Sequence, residues 1–207
     1  MVHEVDFVSQ PASERIVYAD TSQREEYARF ERAAGLAEIV YITTRKYHLN
    51  NLSLDNWDPL HTMINSWNKI RGHIQFDADA FTYDADWARF LVKPFTLKEN
   101  KQNCAGFNAE WDIKPDDPDL QPSKKLFGYF CETGGRTLTR KDIEKLISGI
   151  GVRGINFKLA KNIAEIPAIP KTPTQSELKA RVQKGPYGTP NFPYNLARVY
   201  SVDFAAF

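Results

Sequence analysis

Apolar and polar positions are most clearly ordered between Gln102 and Arg153. In Cys104–Ile113, Ala105, Phe107, Ala109, Trp111 and Ile113 fall on one side and mostly polar residues on the other, which is the alternation of a half-buried strand. After a loop of Pro, Asp and Ser, the run Lys125–Cys131 is dense in aromatics and predicts a second strand, antiparallel to the first. Thr139 followed by Asp142 reads as a helix cap, and Ile143, Leu146, Ile147 and Ile150 then recur at helical spacing.

The same reading predicts the other elements. Ser22 with Glu25 resembles a capping box, Tyr27, Phe30 and Ala34 have helical spacing and Gly35 is a natural stop, so a helix is expected over 23–34. Leu36–Thr44 is rich in β-branched and aromatic residues and predicts a central strand. Asp58 as N-cap and Pro59 at the first helical position open a helix with Leu60, Met63, Ile64, Trp67 and Ile70 along one side, closed by Gly72. Short strands are expected at Arg15–Ala19, His73–Phe76 and Arg89–Leu97, with Pro94 drawing the last towards an edge or bulge.

From Ile166 to Asn195 the composition shifts, with six of the twelve prolines, and the chain reads as an extended arm. A short helix over 175–183 interrupts it, and Arg198–Phe204 reads as a closing strand. The expected fold is therefore α+β. One domain, residues 1–165, carries an antiparallel sheet of about five to six strands with two or three amphipathic helices packed on one face. The proline-rich C-terminal arm, 166–207, docks on that domain or on a partner subunit, which would make a homodimer.

Composition narrows the function classes. Hydrophobic residues are 42% and aromatics 13% of the 207 residues, enough to fold without a partner. Lys plus Arg number 27 against 26 Asp plus Glu, so the chain has no electrostatic drive to coat nucleic acid or anionic lipid. No run of apolar residues is long enough to cross a membrane as a helix.

The only two cysteines, Cys104 and Cys131, stand at the outer ends of the paired runs. A bridge between them closes a loop of about 28 residues, for which the chain-entropy model gives roughly 3.6 kcal/mol. Two independent buried thiols are the competing reading. A bridge favours a periplasmic or secreted location, and free thiols a cytoplasmic one.

Candidate chemistry is sparse. Gly149-Ile-Gly-Val-Arg-Gly154 matches a dinucleotide-binding fingerprint in letters, but it follows a helix instead of opening one, so a helix end explains its glycines better. Asp77, Asp79, Asp84 and Asp86 have spacing that suits a hard cation, yet Phe81 and Thr82 stand where an EF-hand needs a ligand and a glycine. No cofactor motif is present. Glu110 and Glu132 flank the strand pair as a conceivable acid–base couple of a hydrolase. Arg136, Arg140 and Lys141 cluster at a helix N-terminus able to hold an anion. Tyr187, Phe192 and Tyr194 would be wasted in a free arm and suit a binding surface. With no catalytic motif, the expectation is a non-enzymatic binding or accessory module of the cell envelope or exterior, holding a protein, peptide or glycan. An uncharacterised hydrolase with a carboxylate pair is the alternative.

Overall fold

The computed structural model describes residues 12–19, 23–33, 35–44, 59–65, 67–76, 78–113 and 122–152. Among them the chain forms eight strands and two short helices. The strands are β1 (Glu14–Ala19), β2 (Gln23–Arg32), β3 (Gly35–Thr44), β4 (Ile74–Gln75), β5 (Phe81–Asp84), β6 (Arg89–Leu97), β7 (Gln102–Ile113) and β8 (Pro122–Glu132). The helices are α1 (Pro59–Asn65) and α2 (Arg140–Ser148). All strands join one antiparallel sheet in the order β1-β2-β3-β8-β7-β6, with β4 and β5 both on the outer edge of β6.

This overturns the expected α+β arrangement. The described residues are mostly sheet, and the two helices among them lie on opposite faces. Leu60, Met63 and Ile64 of α1 pack with Tyr27, Val40, Ile42, Phe127 and Tyr129. Ile143, Leu146 and Ile147 of α2 pack with Ile39, Phe107, Leu126 and Phe130. A strand covered on both sides buries both phases of its alternation, which is why Leu126–Cys131 is buried without a break.

The expected helix over 23–34 is instead β2, paired along its length with β3 from Gln23↔Thr44 to Arg32↔Gly35. Apolar residues three apart share a helix face, but in a strand they point to opposite faces. Tyr27 accordingly joins the α1 core and Phe30 packs against the α2 core. Gly35 stops no helix. It lies within β3, where a Cβ would come within 2.4 Å of the Phe130 ring.

Other expectations are met closely. β6 spans Arg89–Leu97, and its Pro94 falls between the stretch paired with β5 and the stretch paired with β4, where a missing N–H breaks no described ladder bond. Helix α1 is shorter than its apolar stripe, but Leu60, Met63, Ile64, Trp67 and Ile70 are all buried. The chain continues as turns after α1, with Arg71 N–H bonded to Trp67 O, and Gly72 adopts φ 78°. At Gly106 α1 rests almost on the sheet, since a Cβ there would lie 2.2 Å from Ile64 Cδ1. The Thr139/Asp142 capping box of α2 forms in both directions. Gly149 is the C-cap in the right-handed region, φ −78°, so its place there needs no left-handed backbone.

Strands β7 and β8 pair with Cys104 directly opposite Cys131, and the two sulfurs are bonded. The expected bridge is present, buried in the α1 core. The arm 166–207, its helix over 175–183 and its closing strand lie outside the described residues, as does the 153–165 part of the domain.

Reduction, or Cys131→Ala, should lower the unfolding free energy by about 3 to 4 kcal/mol. Urea unfolding monitored with and without reductant measures it, and near-equal midpoints would show that the bridge adds nothing to sheet pairing.

Candidate functional site

The most demanding group in the sheet is a carboxylate. Glu38 lies in β3 among Ala37, Ile39 and Val40, and it is completely buried. Alternation turns it towards the α1 face, where β2, β8 and the turn after α1 each supply a donor. Tyr27 Oη donates to Oε1 at 2.8 Å, Tyr129 Oη to Oε2 at 2.6 Å, and Lys69 Nζ to Oε1 at 3.1 Å. Only Lys69 reaches solvent, its side chain being 44% exposed. A buried carboxylate persists only when it is paired and hydrogen-bonded, and these three donors, two on Oε1 and one on Oε2, do both. Burial, then the adjacent Glu38 charge, pushes both phenols well above the ordinary tyrosine range. The tyrosines stay protonated and donate. This constellation ties four chain segments together out of reach of any solute.

The expected acid–base couple does not assemble. Glu110 faces Lys125 across the β7–β8 pair and forms an ion pair with its buried ammonium. Glu132 sits at the far end of β8, seven residues from Lys125, which at about 3.3 Å per residue is roughly 23 Å. Odd and even positions also point to opposite faces. Glu132 accepts the Arg136 backbone N–H at 2.7 Å and so closes the turn into α2.

The other expected site residues are dispersed. Asp84 closes the β5–β6 hairpin by a forked contact with Arg89, at 2.6 and 3.2 Å, which holds its carboxyl below the usual aspartate range. Asp79 and Asp86 are exposed, Asp77 lies outside the described residues, and among the described residues no three metal-ligating side chains converge. Arg140 is paired with Glu144 at 2.7 Å and lies over the Phe81 ring at 4.5 Å. Arg136 and Lys141 are exposed beside it. The N-terminus of α2 already has an anion of its own: Asp142 accepts from the Thr139 backbone N–H and hydroxyl at 3.0 and 2.7 Å, which lowers its own proton affinity. Tyr187, Phe192 and Tyr194 lie outside the described residues.

What the fold does bring together is a row of rings on the α2 face. It starts in the core at Phe107 and Phe90, 6.3 Å apart, and continues to Trp87 at 5.2 Å and to Trp111 at a further 5.1 Å. It ends at Tyr41, whose ring is 5.8 Å from that of Trp111 with planes only 13° apart. Phe90 and Phe107 are buried, whereas Tyr41, Trp87 and Trp111 are half-buried. Helix α2 covers the other end of this face, so the row comes to the surface where β3, β7 and the β5–β6 turn end together. The indole nitrogens of Trp87 and Trp111 are out of contact with water and have no hydrogen-bond acceptor. Buried donors are rarely left so.

Neither Glu38 nor the ring row was legible as a site. A lone acid inside a β-branched strand was the only signal for Glu38. The rings come from three separate strands and a turn, and only pairing unites them. No protein-family model, no curated protein and no solved structure matches the chain.

Tyr129→Phe should destabilise the fold by roughly 1 to 3 kcal/mol, because a buried carboxylate oxygen loses its donor. The wild type should also weaken from about pH 10 upward, where unfolded tyrosines ionise and the two buried ones do not. A spectrophotometric titration should find at least two of the nine tyrosines ionising only as circular dichroism is lost. Ionisation of all nine in the folded state would refute the assignment.

Proposed function

We propose that the chain is a non-enzymatic binding module of the cell envelope or exterior, which holds its ligand against Tyr41, Trp87 and Trp111. The ring row carries the reading. Half-buried aromatics supply large contact area at little entropy cost, and two indole N–H groups there still lack an acceptor. The titratable groups of the described sheet point the same way. Glu38, Glu110, Glu132 and Asp84 are each occupied by a structural partner, which leaves no free acid–base pair among them. The Cys104–Cys131 bridge favours an oxidising compartment, and among the described residues no helix is long and apolar enough to cross a membrane.

The test combines location with site. Thiols blocked in intact cells before lysis should leave Cys104 and Cys131 unlabelled, and Trp111→Ala should weaken retention of the folded protein on envelope material. Free thiols in the cell would remove the exterior location. Unchanged retention by Trp111→Ala and Tyr41→Ala would remove the ring row as the site.

A further inference from the structure

The position of the rings within the sheet narrows the ligand, given the binding reading above. We infer that the ring row takes the flat face of a neutral carbohydrate, an all-equatorial β-linked glycan.

Three observations carry this. Tyr41 and Trp111 belong to β3 and β7, which are interior strands, β3 lying between β2 and β8 and β7 between β8 and β6. Their backbone groups are committed to the sheet, so an extended peptide has no ladder to join here. Peptide recognition by strand addition needs an open edge. A pyranose needs only a ring to lie on and a few polar contacts.

The ring geometry suits such a face. Tyr41 and Trp111 stack, with centroids 5.8 Å apart and planes within 13° of each other, so the pair acts as one rigid platform whose outer ring face can receive a flat apolar surface. An all-equatorial pyranose presents its axial C–H bonds as such a surface, and these carry slight positive charge towards the negative ring face. Its hydroxyls then lie at the rim. They are acceptors of the kind that the Trp87 and Trp111 indoles lack.

Charge at the site is mixed. Lys124 stands opposite Trp111 in the β7–β8 register, Glu26 stands opposite Tyr41 in the β2–β3 register, and Asp86 precedes Trp87 in the turn. These groups supply no surplus of cations, which a phosphorylated or uronic glycan would need.

The experiment is a titration of the full chain with cello- and chito-oligosaccharides, and separately with a mixed-sequence peptide, followed by tryptophan fluorescence and by the indole N–H signals in NMR. The expected result is a saturable response to an oligosaccharide, confined to two of the four indole signals. Trp111→Ala should weaken it about tenfold, the factor for one lost ring contact. Tyr41→Ala serves as the second variant should Trp111→Ala not fold, and Trp111→Phe, which keeps a ring but not the N–H, should fall between. A response of the same two indoles to the peptide and not to the sugars overturns the carbohydrate inference and leaves the binding module standing. Silence of both indoles towards sugars and peptide overturns both.

Discussion

The register between β7 and β8 is the constraint on which the rest of the structure depends. With Cys104 opposite Cys131, Phe107 and Phe130 face α2 while Phe127 and Tyr129 face α1. A slip of one residue would exchange the two sets and carry Lys125 away from Glu110. The disulfide makes that slip covalently impossible. From this central pair the sheet grows outward, by β3 and the β1–β2 hairpin on one side and by β6 with its two short partners on the other.

Burial on both faces explains the unusual polar content of the α1 side. A wide sheet with a helix on each face has little room for charge, yet Glu38 and Lys125 are both buried. Each is held by a partner from another strand, Glu38 by Tyr27 and Tyr129 and Lys125 by Glu110. Such groups add little net stability over apolar replacements, but an alternative pairing would strand them uncompensated. They act with the disulfide to make one register far better than its neighbours. Gly128 contributes by allowing close approach: a Cβ there would stand 2.3 Å from the Glu38 carbonyl oxygen.

Structural demand and functional opportunity are thereby separated in space. The α1 face ties Glu38 and Lys125 to internal partners, and the candidate acids end as structural partners. The α2 face is mainly apolar, with Glu132 tied into the turn before α2, and it is covered by a helix at one end and by rings at the other. At the ring end half-exposed aromatic surface coincides with the unpartnered Trp87 and Trp111 indole donors, which is where a ligand would gain most.

Local features of this chain could be read from its residues because their causes are local. The cap of α2 rests on Thr139 and Asp142 three positions apart, the strand Arg89–Leu97 on its own run of residues, and the β7–β8 hairpin on two apolar runs whose ends carry the only cysteines. What tertiary structure decided is every feature that depends on which face is covered. Tyr27 and Phe30, three apart, suit one side of a helix as well as two sides of a strand, and only a sheet with cores on both faces selects the strand. Glu38 is an ordinary acid until β2 and β8 bring two phenols to it. Tyr41, Trp87 and Trp111 lie up to seventy residues apart, and no local pattern links them. Their meeting is a property of strand order, which follows from long-range pairing energies and not from the spacing of neighbours along the chain.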